Sequence, residues 1–222
     1  MTFSSPSRGD TLSESAQLHT TPSQHSGTAG AQPSQQPNYM HEFGLDRGQG
    51  LQFGIYSLGD HLPDPHDGSR VDAGQRIHEF IGYAQAAEDA GLDFFSLGES
   101  HQEFFASQAH AVILGAIAQA TDTIRIGSSS TILSTSDPVR VFENFATIGL
   151  ISGGRAELVA GRASRVGLFE LLGYDLRDYE ELYEEKLDLL LKINREKRVT
   201  WSGQFRAPLN NAEVIPRPTG DS

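Results

Sequence analysis

The sequence contains no cysteine. Disulfides, zinc–thiolate sites, iron–sulfur clusters and thiol nucleophiles are excluded together. No apolar run approaches the roughly 18–20 residues that a membrane-spanning helix needs, so no integral membrane segment is expected. Basic residues are scarce: 17 Lys and Arg stand against 29 Asp and Glu, a formal net charge of −12. That balance argues against a nucleic-acid partner, whose phosphates demand Lys and Arg, and against adsorption to anionic lipid. Several chemical signatures are missing as well. There is no GxxxxGK[ST] or GxGxxG loop, no HExxH, no GxSxG elbow and no calcium-loop spacing. A cytoplasmic location agrees with the absence of cysteine and of a secretory signal.

At 222 residues the chain has room for one domain, or one domain and a tail. Of the first 40 residues, 25 are Ser, Thr, Gln, Pro or Gly, too few apolar groups to offset the entropy of ordering. Residues 1–48 are therefore expected to be a disordered tail, and residues 49–222 the folded part.

From Leu51 the pattern changes. LQFGIYSLG (51–59) reads as a buried strand, and QRIHEFIGYAQAAEDAG (75–91) as an amphipathic helix stopped by Gly91. LDFFSLGE (92–99) reads as a second strand, AVILGAIAQA (111–120) as a second helix, and IRIGSSSTIL (124–133) as a third strand. Asp137 and Pro138 have the form of an N-cap followed by a first-turn proline, opening a helix that ends at Gly153-Gly154. AELVAG (156–161) reads as a fourth strand. Asp178 and Glu181 suggest a capping box for a last helix running to Ile193. Alternation of this kind predicts an α/β fold, a parallel sheet with helices outside it. The stretch from Lys197 onward carries little periodicity.

Candidate functional residues gather where the strands end. Glu99, Ser100 and His101 follow the second strand. Ser128, Ser129 and Ser130 end the third. Gly161 and Arg162 end the fourth, with Ser164 and Arg165 beyond. In parallel α/β architectures ligands sit at these carboxyl ends, where loops converge and helix N-termini point. Small Gly and Ser residues admit a flat ring, and Arg offers fixed charge to an anion. Each has an ordinary alternative: a satisfied loop histidine, a surface ion pair, a strand terminus.

From Leu51 to Pro218 the chain resembles the N-terminal half of the bacterial-luciferase-like flavin-dependent monooxygenases. The resemblance is carried by GLDFFSLGESHQ, by IRIGSSSTILSTSDPVRVFENFATIGLISGGRAEL and by VAGRASRVGLFELLGYDLRDYEELYEEKLDLL. It implies a TIM (β/α)8 barrel with reduced FMN as electron donor, molecular oxygen as co-substrate and a small, aldehyde-like organic substrate. A deazaflavin coenzyme, as used by relatives, stays open. About four βα units are legible where a full barrel has eight, so a partial barrel, truncated after its first half, is expected.

The resemblance also assigns roles. The family often has Glu-His-His after the second strand; here Glu99, Ser100 and His101 occupy those positions, so the first His is replaced by Ser. His101, beside Glu99, becomes the catalytic candidate for proton transfer. Ser128, Ser129 and Ser130 match small residues at the flavin ring, Gly161 lies beside them, and Arg162 matches an Arg near the flavin phosphate. Tyr56, at the end of the first strand, is placed in the same pocket by position alone. A flavin reductase partner and a homodimer through the helices around Val112–Ala120 and Phe142–Ile148 are further implications. Two other readings stand beside this one: a non-catalytic flavin-binding or interaction protein derived from the family, and an unrelated phosphate-binding barrel.

Overall fold

Residues 50–218 are described by a computed structural model; the proposed tail, residues 1–48, lies outside the described residues. Four strands lie parallel in the order β1 (Gly54–Ser57), β2 (Phe94–Leu97), β3 (Arg125–Ser128) and β5 (Ala156–Glu157). The third and fourth strands are each broken and resume beyond the break as β4 (Thr131–Ile132) and β6 (Ala160–Gly161), which pair with each other, again in parallel. The Ser128 hydroxyl holds the break: it accepts from the Val159 N–H at 3.0 Å and reaches the Val159 carbonyl at 3.2 Å. What reads as one strand over 124–133 is thus two short ones. Polar residues at the break supply the hydrogen bonds that a regular ladder would have made.

Helices α1 (Ala73–Asp89), α2 (His110–Ala120), α3 (Pro138–Ser152) and α5 (Tyr179–Arg195) follow the strands, with the short α4 (Gly167–Leu171) between the last two. Their apolar faces meet β2 and β3 in one core, centred on Phe80, Phe95, Leu97, Leu114, Ile117 and Ile126. Helix starts follow local chemistry. Asp72 caps α1 through Gln75, and Asp137 caps α3 through Val139 and Arg140 with Pro138 behind it. Gly153 ends α3 in the left-handed region (φ 68°), where a side chain would be strained. The parallel sheet with outer helices, expected as part of a (β/α)8 barrel, is the fold observed.

Several elements differ in detail. The strand expected over 51–59 shortens to β1, whose Ile55 and Tyr56 are 40% and 49% exposed rather than buried. Pairing with β2 alone leaves it at the sheet edge. Asp178 makes no capping hydrogen bond; Asp175 caps the preceding 3-10 turn instead, through the Arg177 N–H. Two elements carried no legible signal, α4 and the antiparallel hairpin β7 (Arg198–Trp201)–β8 (Leu209–Glu213). On α2 and α3 the apolar stripes face the core, Ile113, Ile117, Phe142 and Phe145 among them, while Val112 is 74% exposed. Among the described residues no helix is long and apolar enough to cross a membrane.

Candidate functional site

A carboxylate and two imidazoles meet just past the end of β2. Parallel pairing carries Gly98 onto Ser57 and turns Glu99 toward β4, where its N–H donates to the Ser130 carbonyl at 3.1 Å. The Glu99 side chain then points inward and is 7% exposed. Its Oε1 accepts from His101 Nε2–H at 2.8 Å. Its Oε2 accepts from the Ile132 N–H at 2.7 Å and stands 3.6 Å from His110 Nδ1. A buried carboxylate is costly unless its lone pairs are taken up. Here the His101 ring nitrogen and the Ile132 N–H bond it, and His110 Nδ1 stands nearby.

Both imidazoles are sheltered, with side chains 16% exposed at His101 and 7% at His110. His110 lies on the first turn of α2, and its Nε2 is 2.8 Å from Thr131 Oγ1. Burial pushes the His110 pKa below its ordinary value, opposed by the attraction of Glu99 and aided by the nearby His101. His110 had no place in the sequence reading, because the helix there was expected to begin at Ala111 and a lone His at its edge has no spacing to mark it.

Glu99, Ser100 and His101 form one wall of a cavity of about 300 Å³; Ile132, Arg165 and Leu168 are among the residues that complete it. The small residues of the neighbouring strand ends stand beside it. A Cβ on Gly161 would come within 2.1 Å of Ser130 Oγ, so only glycine lets β4 and β6 close at that point. A Cβ on Gly98 would lie 2.9 Å from the Ser129 carbonyl oxygen and 3.5 Å from the Tyr56 hydroxyl. Burial raises the pKa of that hydroxyl. Ser129 and Ser130 are half-buried.

The structure therefore brings together Glu99, His101, Ser129, Ser130, Gly161 and Tyr56 at one end of the sheet. Ser128 is fully buried, and its hydroxyl is taken up by Val159. Arg162 turns away onto α5, pairing with Glu180 at 2.8 Å and lying 4.8 Å over the Tyr183 ring. Arg165, named beyond the fourth strand but given no role there, is the cation that lines the cavity. A flat heterocycle with an anionic tail fits this donor set: half-buried hydroxyls at a strand end, a carboxylate–imidazole pair and an exposed guanidinium. Among the described residues no cluster of His, Asp and Glu is arranged to hold a metal ion.

Comparison with known proteins bears on the same region. Residues 51–221 match the family model described as luciferase-like monooxygenase. The Sinorhizobium fredii protein y4wF is 31% identical over 169 residues, covering 76% of this chain and 47% of that protein. The chain thus spans about half the length of that curated relative and less of others. Among solved structures, monooxygenase RslO1 from Streptomyces bottropensis superposes with a TM-score of 0.68 at 21% identity, over 76% of this chain and 50% of that one. The oxygenating constituent of 3,6-diketocamphane monooxygenase from Pseudomonas putida, in complex with FMN, gives 0.63 at 17% identity, over 72% and 44%. An F420-dependent secondary alcohol dehydrogenase with an F420-acetone adduct gives 0.58 at 19% identity, over 77% and 50%. At these identities the structural likeness speaks for the fold alone.

Proposed function

The chain belongs to the luciferase-like monooxygenase family, and from that premise we propose that it forms the proton-handling half of a flavin-dependent monooxygenase site. The substrates proposed are reduced FMN, molecular oxygen and a small, aldehyde-like organic molecule. One observation carries the reading: the Glu99–His101 pair, 2.8 Å apart, on the wall of a cavity at the carboxyl ends of parallel strands. Bound reduced flavin would supply the electrons for reaction with oxygen.

The chain's own residues have definite tasks in this reading. Ser129, Ser130, Gly161 and Tyr56 would line the flavin ring. Arg165 offers a positive charge to its anionic tail, with Arg162 in reserve only after leaving Glu180. His101 uses Nε2 on Glu99, which leaves Nδ1 to take or give a proton on the cavity side. Leu168 and Ile132 add apolar surface to the same cavity. Deazaflavin is the alternative cofactor, supported by the F420-dependent neighbour. A reductase supplying reduced flavin and a homodimer complete the proposal. The second copy would meet residues left exposed on α2 and α3, Val112, Leu150 and Ile151.

A second reading keeps flavin binding and drops turnover. It is favoured by Ser100, which occupies the cavity wall where relatives often carry a histidine. Ligand titration tests the flavin claim common to both readings. FMN, riboflavin and a sugar phosphate are titrated against this chain and against the chain joined to the second half of a relative's barrel. The joined protein is expected to bind FMN far better than riboflavin, and this chain alone to bind FMN weakly. Binding of the sugar phosphate with no response to FMN would overturn the proposal in favour of a phosphate-binding barrel.

A further inference from the structure

We propose that His110 is a positioning residue, a buried neutral imidazole locked by Thr131 in its Nδ1–H form, which holds the Glu99 carboxylate so that His101 alone answers to its charge. Four groups from three elements make the arrangement. Thr131 comes from β4, His110 from α2, and Glu99 and His101 from the loop after β2. Thr131 is 2% exposed, and its hydroxyl has His110 Nε2, at 2.8 Å, as hydrogen-bond partner. On the far side of the ring, Nδ1 faces Glu99 Oε2 at 3.6 Å. A carboxylate can only accept. The proton therefore sits on Nδ1, and Nε2 takes the hydrogen bond from the Thr131 hydroxyl. In water the other tautomer is the favoured one, so the protein is selecting a minority form.

The consequence falls on His101. One carboxylate stands between two imidazoles, and a second positive charge in this sheltered place would go uncompensated. The groups facing His110 decide which ring carries it. Glu99 and His101 are the titratable ones, and from α3 the Phe145 ring lies 6.3 Å away, tilted by 45°. An aromatic wall and a single buried hydroxyl replace little of the hydration an imidazolium loses. Burial accordingly disfavours a charge on His110 against the pull of Glu99, and the carboxylate's Oε1 is left to the His101 hydrogen bond. Because Oε2 is also held by the Ile132 N–H, the carboxylate keeps its Oε1 toward His101. The effect on turnover rests on the reading of His101 given above, whereas the tautomer and the charge partition do not depend on it.

The test is nitrogen-15 NMR of the histidine-labelled full chain, with the ring resonances assigned by substitution. In the unaltered chain His110 is expected to be the Nδ1-protonated tautomer. Thr131→Val, close to isosteric, removes the hydrogen bond to Nε2 and is expected to release His110 toward the Nε2–H form. His110→Leu removes the N–H facing Glu99. The His101 Nε2 resonance, whose hydrogen bond goes to the same carboxylate, should then shift. His110→Gln retains an N–H donor and should restore most of that shift. If His110→Leu fails to fold, the Thr131→Val tautomer change decides. A His110 found as the Nε2–H form in the unaltered chain overturns the proposal, as does an unmoved His101 Nε2 resonance in His110→Leu. No flavin is needed for any of these readouts. Success here with no FMN response in the joined barrel would reject the monooxygenase reading alone.

Discussion

Strands β1 and β2 have the same length, run parallel and pair residue for residue from Gly54↔Phe94 to Ser57↔Leu97. Their fates differ. Phe95 and Leu97 of β2 are fully buried, whereas Ile55 and Tyr56 of β1 are 40% and 49% exposed. Composition does not separate GIYS from FFSL; neighbours do. β2 has a strand on each side and the α1 and α2 faces beneath it, and β1 has one partner. Apolar pattern thus tells which residues can be buried, while topology decides which of them are. The site follows the same rule, since Glu99 is sheltered because it follows β2 and leans on β4.

The comparison can be broken most directly by cutting side chains on the two strands. Phe95→Ala is expected to cost about 3–5 kcal/mol, the usual penalty for a large cavity in a packed core. Ile55→Ala should cost well under that, about 1 kcal/mol or less, because much of the side chain already meets water. Urea unfolding of both variants checks the ratio, and equal losses would show β1 to be covered.

Lys186 sharpens the contrast from the sheltered side. Its side chain is 1% exposed, its Nζ donates to the Ser134 carbonyl at 2.6 Å, and it lies 4.0 Å over the Tyr174 ring. Burial lowers its pKa from 10.5 to about 8, against the attraction of Asp137 and Glu185. The folded chain therefore releases this proton earlier than the unfolded one. Between about pH 8 and 10.5 the unfolded state binds more protons, so the lysine's contribution to stability rises with pH, by about 3 kcal/mol in all. Below pH 8 the full cost of the buried charge is present. Lys186→Met should flatten the rise, seen as a loss of slope in unfolding free energy against pH.

Glu88 gives a smaller effect of opposite sign. It is partly buried, which raises its pKa, but hydrogen bonds from the Thr123 and Ile124 N–H groups, the Thr123 hydroxyl and the Asp122 N–H outweigh burial and bring it to about 2. The folded pKa is depressed, so this stabilisation is present above the ordinary value near 4.5 and disappears as pH falls through about 2. Glu88→Gln should cost about 1–2 kcal/mol at pH 7, allowing for solvent screening, and nearly nothing at pH 2. The smallest effect is expected from removing residues 1–48, whose composition offers no core; the melting transition should not move.

How much was legible depended on whether the signal was local. Asp137-Pro138 and Gly153 marked both ends of α3, since capping is settled within four residues of chain. Phe80, Ile117 and Phe142 fell on helical stripes and proved to be core. The β7–β8 hairpin was not legible because its strands alternate weakly and are fixed by packing Val199 and Val214 under α5. At the site, Glu99 and His101 were legible because they are two residues apart in one loop. His110 was not, because only the approach of α2 and β4 brings it to Glu99. Arg162 shows the converse. Position put it with Ser130 and Gly161, yet the Glu180 carboxylate and the Tyr183 ring draw its side chain to α5.

The central claim is that the Glu99–His101 pair handles a proton for flavin-dependent oxygenation. It is tested most directly by oxygen consumption at saturating reduced FMN, using the chain joined to a relative's second half. Wild type is compared with His101→Ala. The rate is expected to fall by about 100-fold or more, with FMN affinity held within about twofold because the ring is lined by other residues. An unchanged rate with flavin saturating would contradict it.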